Sequence, residues 1–509
     1  MPAAPLELDR AALPSEQAKP AEVPTPAGSS NRAERIANIV VLTLLFATPA
    51  LMCVHAACAN DFDMGWHLRT GEWILQHHAV PQADPFSSAL IGKPWQAYSW
   101  LFEVILVKLF YRFGLVGMVV YTSTMVLAIT AALYRSIKRL QADSSIAVLL
   151  TFATGYGIAH LYTPRPWLFT ILFFILELSI LMHARRTGRV RGLLWLPLIF
   201  ALWANTHIEY VDGLLVLGLA FAESIVARWW SAAETRVGPA WMGGALLASV
   251  LATLANPYGW RIYSVVFDYS SRLAANGSAL NKVSELQSIP FRDLSDFTIL
   301  ALALLGVAAL AWQQRLVLFE TALLVFAILL SFRSQRDIWI TAVVAATILA
   351  SRIAVSRKKP IQSPRFASPI AFVAACLLLA AGFRVMHVNN TLLQAQVART
   401  MPADAVQAIL AHGYTGPVYD DYNWGGYLIW ALRQPVSIDG RASFYGDEKI
   451  DRSMKTWNAE PDWATDHDLM SAKTVIGPAK AALSTVLRTD PRFQLVYEDK
   501  LAAVFIPRK

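Results

Sequence analysis

The sequence predicts an all-α polytopic membrane domain of about eleven transmembrane helices, followed by a small extracytoplasmic α/β domain at the C-terminus. Three observations carry this reading. Of 509 residues, 55% are hydrophobic and only 16% charged, against about 25% charged in a typical soluble chain; lipid must therefore solvate most of the surface. Apolar runs recur between residues 36 and 387. Beyond about residue 388 the pattern changes to short β-rich runs separated by helical stretches. The formal charge of +8 belongs with the Lys and Arg of cytoplasmic loops. No basic run is interleaved with surface aromatics, so nucleic acid is not an expected partner. Cys53, Cys58 and Cys376 all sit in apolar runs and imply neither a disulfide framework nor a zinc site.

Taken in order, residues 1–33 are rich in Ala, Pro, Glu and Ser and predict a disordered cytoplasmic tail. The membrane domain occupies 34–388. Its first span, Ile36 to about Ala57, follows Arg32 and Arg35 and has no convincing cleavage site, so it reads as an uncleaved anchor. Further spans fall near 113–134, 145–161, 166–184, 192–205, 208–228, 240–256, 296–312, 315–332, 336–352 and 369–387. Arg135, Lys138, Arg139, Arg185, Arg186, Arg189, Arg191, Arg315, Arg352, Arg357, Lys358 and Lys359 then fall on one side. Asp61, Asp63, Glu72, Asp84, Glu209 and Asp212 fall on the other. This positive-inside asymmetry puts the N-terminus in the cytoplasm of a multi-pass plasma-membrane protein. The loops 58–97 and 257–295 and the region 389–509 lie outside. Arg165, Arg333 and Arg336 break the rule by facing outward.

In the C-terminal region, β-rich runs appear at Pro417–Tyr419, Val436–Ile438, Thr474–Ile476, Phe493–Tyr497 and Ala502–Ile506, with helical stretches at Ala403–Ala411 and Ala479–Leu487. Glu498-Asp499-Lys500 predicts a hairpin turn between the last two. The alternation predicts an open, largely parallel sheet with an antiparallel edge. No glycine-rich phosphate loop follows a strand, so no nucleotide site is indicated.

The richest segment is the first external loop, Asn60-Asp61-Phe62-Asp63-Met64-Gly65-Trp66-His67-Leu68-Arg69. Met64, Leu68 and Leu75 share one side of a helix flanked by Trp66 and Trp73, a pattern suited to the membrane interface. Asp61 and Asp63, two apart in an extended segment, face the same way. Such a pair binds a divalent metal or supplies a general base. Asp63 also suits the N-cap of the helix, and a helix starting there brings His67 close. In the first case Asp61 is the freer group, because it lies outside the helix.

This layout resembles the GT-C superfamily of membrane glycosyltransferases, which use polyprenyl-phosphate-linked sugars and carry an acidic catalytic residue in the first extracytoplasmic loop, followed by an interfacial helix. Val80-Pro81-Gln82-Ala83-Asp84-Pro85-Phe86-Ser87, Lys93-Pro94-Trp95 and Trp100-Leu101 are similar to segments of uncharacterised bacterial multispanning proteins near the protein mannosyltransferases and oligosaccharyltransferases. Asp421-Tyr422-Asn423-Trp424-Gly425-Gly426-Tyr427 is similar to the Trp-Trp-Asp-Tyr-Gly signature of oligosaccharyltransferases. The Asp-Tyr order is shifted and the paired tryptophans are missing, so no peptide-recognition role is carried over.

The resemblance implies a transferase that moves a sugar from a polyprenyl-phosphate donor to an extracytoplasmic lipid, glycan or protein. Asp61 or Asp63 would act as base or metal ligand. The outward arginines then suit a lipid phosphate: Arg165 between Pro164 and Pro166, and Arg333 with Arg336 on one helical turn. An Arg333–Asp337 pair closing the loop is the structural alternative. Asn205 and His207, in Trp203-Ala204-Asn205-Thr206-His207-Ile208-Glu209, contact sugar or phosphate or else form a hydrogen-bonded corner. Asp439 and Arg441, in Ser437-Ile438-Asp439-Gly440-Arg441, line an acceptor path or form a turn. Two rivals use the same residues without chemistry: a flippase or transporter of lipid-linked substrates, and an inactive assembly partner.

Overall fold

The computed structural model describes residues 27–56, 61–227, 229, 234–274, 282–313, 317–353 and 366–508. Its helices begin with α1 (Ala27–Ala56), α2 (Met64–His77), α3 (Trp100–Phe113), α4 (Val116–Leu140), α5 (Ser144–Gly157) and α6 (Trp167–Thr187). They continue with α7 (Leu196–Thr206), α8 (Tyr210–Val226), α9 (Pro239–Thr253), α10 (Ile262–Ala274), α11 (Leu294–Ala311), α12 (Leu318–Arg333), α13 (Ile338–Arg352) and α14 (Ala367–Val385). Every expected span coincides with one of these: α1, α4 to α9, and α11 to α14. Five helices, in α1, α4, α6, α11 and α14, are long and apolar enough to cross a membrane. The other six are shorter than about 20 residues, so length and composition alone support fewer crossings than the expected eleven.

Residues 27–33, expected in the tail, form the first turns of α1. The rest of that tail, together with Cys58, Asn60, Arg315, Arg357, Lys358 and Lys359, lies outside the described residues. Helix α13 is buried along its length from Ile338 to Ala350 and forms the centre of the bundle, as a helix apolar on all faces must. Helix ends follow local chemistry. Asp143 caps α5 by accepting from the amides of Ser145 (2.9 Å) and Ile146 (3.3 Å), while Gly188 closes α6 in the left-handed region, φ 72°.

The segment between α1 and α4 holds two helices, α2 and α3. α2 was expected, but α3 was not: its sequence WLFEVILVKLFYRF runs into the next apolar run and reads as its lead-in. Gly71 of α2 lies against the carbonyl of Glu103, where an added Cβ would come within 2.2 Å of that oxygen.

Beyond α14 come α15 (Asn390–Val397), α16 (Ala403–Ala411), β1 (Val418–Asp420), α17 (Gly425–Leu432), β2 (Thr474–Pro478), β3 (Phe493–Glu498) and β4 (Ala502–Pro507). The sheet order is β1-β2-β4-β3. Only β1 and β2 are parallel, Val418 opposite Thr474; β2–β4 and β3–β4 are antiparallel. The largely parallel sheet expected from the alternation is therefore not formed, because β3 and β4 return as a hairpin around Asp499, the turn that the sequence places there. Val436–Ile438 is not a strand. Val436 makes isolated bridges to Ser87 and Val418, and its backbone bonds Phe86 and Ser88 of the segment between α2 and α3.

The C-terminal region is pressed onto α2 and α3. An added Cβ at Gly65 of α2 would lie 2.2 Å from the carbonyl oxygen of Gly426, so the glycines let α2 and α17 touch backbone to backbone. Arg433 ion-pairs with Glu72 of α2, which also accepts from Tyr111 of α3. One continuous cluster of buried apolar side chains runs from the bundle into this region, including Phe102, Trp339, Ile438 and Val504.

Candidate functional site

The chain enters α2 through Asp61-Phe62-Asp63. Asp61 Oδ1 accepts from the amides of Asp63 (2.9 Å) and Met64 (3.0 Å), satisfying donors at the helix start. Asp63 occupies the N-cap position but makes no side-chain capping bond. The two roles are thus reversed from the sequence expectation. Asp61 does the capping, and the Asp63 carboxylate is left for other work.

Both carboxylates meet Arg165. Pro164 and Pro166 hold the backbone of this arginine just ahead of α6. Its Nε donates to Asp61 Oδ2 (2.8 Å) and its Nη1 to Asp63 Oδ2 (2.5 Å). Burial pushes the Asp63 carboxyl up to about 6, opposed by Arg165. Asp61 is likewise raised by burial against the pull of Arg165. Burial works against charge on Arg165 too, but Asp61 and then Asp63 outweigh it and keep the guanidinium protonated.

Arg165 stands in the wall between two cavities. The first, about 80 Å³, is lined by Asp63, Trp66, His67, Trp95 to Ser99, Glu103, Arg165, Trp167, His207, Glu285, Arg336, Tyr422 and Gly440 to Ser443. The second, about 280 Å³, is lined by Asp61, Phe62, His160, Leu161, Thr163, Arg165, Trp167, Ser284, Glu285, Gln335 and Arg336. Arg336 borders both, held by Glu209 Oε1 through Nη2 (2.7 Å) and Nε (3.1 Å). Burial would raise the carboxyl of Glu209, but His207 and Arg336 together bring it down to about 2.

The polar floor of the first cavity comes from α2 and α3. His67 Nδ1 lies 3.2 Å from Glu103 Oε1, and the two residues are 2% and 1% exposed. Burial raises the Glu103 carboxyl well above the usual range and lowers the His67 imidazole. Both changes favour a neutral pair. His67 also stacks on Trp66, ring centroids 3.6 Å apart.

The C-terminal region supplies the roof. An added Cβ at Gly440 would fall 1.7 Å from Asp63 Oδ1, so only glycine lets this loop close over the carboxylate. Arg441 turns away from it. Its Nε and Nη2 grip Asp439 at 2.8 and 2.7 Å, and Nη1 binds Asp84 of the first loop at 2.7 Å. Trp95, Phe444, Phe86 and Tyr445 surround the guanidinium.

The structure therefore brings Asp63, His67, Arg165, His207, Arg336 and Arg441 to one cavity, with Asp61 on the far side of Arg165. Asn205 is elsewhere. It accepts from Trp100 Nε1 (2.7 Å) and donates to the carbonyls of Ala201 (2.7 Å) and Ala255 (2.8 Å), which is the hydrogen-bonded corner. Asp439, fully buried, serves Arg441 and Tyr445. Arg333 and Arg336 do not share a helical turn: α12 ends at Arg333, and Ser334 is extended (φ −136°, ψ 123°) before a 3-10 turn over Gln335–Asp337. Arg333 is exposed and lines neither cavity. Sequence reasoning missed Glu103, Ser99, Glu285 and Tyr422. For Glu103 a signal existed, one carboxylate inside an otherwise apolar run.

No group of three or more His, Cys, Asp or Glu among the described residues is placed to hold a metal. Asp61 and Asp63 each already have one oxygen on Arg165, and no step below uses a metal ion.

Fold and cavities together define a multi-pass membrane protein with a roofed polar chamber beside α2 and α3. No family model and no curated protein matches the chain. Among solved structures it is similar to the archaeal oligosaccharyltransferase AglB from Archaeoglobus fulgidus, in complex with an inhibitory peptide and a dolichol-phosphate. The identity is 11%, over 88% of this chain and 70% of that one, with a TM-score of 0.60. ArnT from Cupriavidus metallidurans bound to undecaprenyl phosphate matches at 14% identity over 94% and 98%, with a TM-score of 0.48. The likeness to AglB is one of fold, and it is the fold that the resemblance to GT-C enzymes implied.

Proposed function

We propose that the protein is a membrane glycosyltransferase that moves a sugar from a polyprenyl-phosphate donor to an acceptor outside the cytoplasm. The observation that carries this is the shared wall: one guanidinium, Arg165, bonded to two carboxylates and bordering two cavities. The second cavity, with Arg165, Arg336, His160 and Gln335 beside Phe62 and Leu161, suits a phosphate on an apolar carrier. AglB, whose fold this chain shares, was solved with a dolichol-phosphate.

In this reading the donor phosphate takes N–H groups of Arg165 that now bind carboxylates, and so frees Asp63. Asp63 accepts the proton of the acceptor hydroxyl as its oxygen attacks the anomeric carbon. The bond from that carbon to the phosphate oxygen breaks, and the polyprenyl phosphate leaves with charge offset by Arg165 and Arg336. An ordinary carboxylate is a weak base; one pushed up to about 6 is better matched to the task near neutral pH.

The test is transfer of labelled sugar from polyprenyl-phosphate donors in membranes that carry the protein. Asp63→Asn keeps size and polarity but cannot take the proton, so transfer should be lost while the protein stays folded. Undiminished transfer by Asp63→Asn would remove Asp63 as the base, and absence of transfer by the parent protein from every donor would favour a non-enzymatic carrier of lipid-linked substrates.

A further inference from the structure

Three polar atoms around the first cavity stand out. Trp66 Nε1, Ser99 Oγ and Glu103 Oε2 are buried, and none has a hydrogen-bond partner among the described residues. All three residues line this one cavity, and they are 7%, 1% and 1% exposed. Native structures seldom leave such groups unpaired, and here they come from three successive pieces of chain: α2, the turn before α3, and α3. Two further aromatic side chains, Trp95 and Trp167, line the same space. A few fixed polar atoms among aromatic side chains make a binding site for a small polar ring.

We infer that Trp66, Ser99 and Glu103 form a subsite that reads the hydroxyl groups of the donor sugar. The inference rests on the proposed transferase function and adds to it the residues that choose the sugar. Arg165 and Arg336 border both cavities, so a phosphate held by them in the second cavity directs its sugar into the first. The chemistry is complementary: the indole N–H donates, the serine hydroxyl donates or accepts, and the carboxyl of Glu103 does either when protonated. His67 holds the other oxygen of that carboxyl at 3.2 Å and so sets its orientation. Burial keeps Glu103 protonated, which predicts that its amide analogue works in its place. A site that hydrogen-bonds a hydroxyl discriminates strongly against a sugar that lacks or misplaces it, because the protein groups are then left unpaired.

The experiment measures binding to the full chain in nanodiscs, by intrinsic tryptophan fluorescence. The probes are undecaprenyl phosphate alone and undecaprenyl phosphate carrying glucose, mannose, galactose or arabinose. At least one glycosylated probe should bind roughly 10-fold or more tightly than the bare carrier, with a preference among sugars. Ser99→Ala and Glu103→Leu should each erase most of that gain while leaving affinity for the bare carrier unchanged. Glu103→Gln should retain it, and Ser99→Ala decides the matter if Glu103→Leu does not fold. The subsite is overturned if every glycosylated probe binds like the bare carrier, or if the preference survives both Ser99→Ala and Glu103→Leu; either result leaves the transferase reading standing. Failure of all five lipids to bind overturns that reading and the subsite with it.

Discussion

Gly440→Ala puts the arrangement under the most direct strain. The added Cβ would sit 1.7 Å from Asp63 Oδ1, 2.5 Å from its Cγ and 2.9 Å from Oδ2. An ordinary carbon–oxygen contact is near 3.4 Å, so the carboxylate or the 439–441 loop must move by more than about 1 Å. Asp63 has little freedom, because Arg165 holds it at 2.5 Å; the loop has little, because Arg441 is bound to both Asp439 and Asp84. Overpacking of this kind typically costs about 1–3 kcal/mol of stability. A base misplaced by about 1 Å loses on the order of 100-fold in rate. The expected result is a protein that still folds, with a modestly lowered melting temperature, and transfers sugar about 100-fold more slowly. Gly218→Ala is the control, since a Cβ there meets nothing within 4 Å. A Gly440→Ala protein that transfers at the parental rate would refute both the clash and the role of Asp63 as base.

Four further outcomes are expected. Asp61→Ala should cost about 1 kcal/mol through a weakened helix start and lower the melting temperature, whereas Asp63→Asn should leave that helix start intact and abolish transfer. Because Asp63 works only when ionised and burial pushes it up to about 6, kcat/KM should fall as pH drops below about 6, which a pH–rate profile measures. Arg441→Leu strands two buried carboxylates, Asp439 and Asp84, 0% and 2% exposed; a loss of about 3–5 kcal/mol should appear in thermal unfolding. A reporter fused after Pro360 should read as cytoplasmic and one after Lys509 as extracytoplasmic.

Helix positions were legible because an apolar run is a local property: the spans near 113–134 and 166–184 became α4 and α6 with ends shifted by a few residues. Asp61, Asp63 and Arg165 could each be singled out in the sequence, as two acids just after an apolar run and an arginine between two prolines, and the structure brings the three together. Which acid caps was not legible, since that depends on where Asp61 Oδ1 points relative to the amides of Asp63 and Met64. Strand direction was hidden for a similar reason. Whether β2 pairs with β4 as a parallel or antiparallel neighbour is decided by contacts 24 to 30 residues apart, from Pro478 with Ala502 to Val475 with Phe505. The expected Arg333–Arg336 helical turn failed on one backbone angle at Ser334. Nothing local marks Gly440 or Gly426 as more than turn or helix residues; their meaning lies in Asp63 and Phe62, far away in sequence.

The roof of the chamber has a consequence for the timing of biosynthesis. Arg165 and Asp63 emerge early from the ribosome, but Tyr422, Gly440 and Arg441 come only after the final hydrophobic helix, α14. A half-made chain already inserted in the bilayer thus carries the carboxylate and the arginine with no cover over them, open to water. Only when the last segment has been delivered to the same side does the pocket exist as an enclosed space. Addition of the C-terminal region, rather than assembly of the bundle, is what encloses this space.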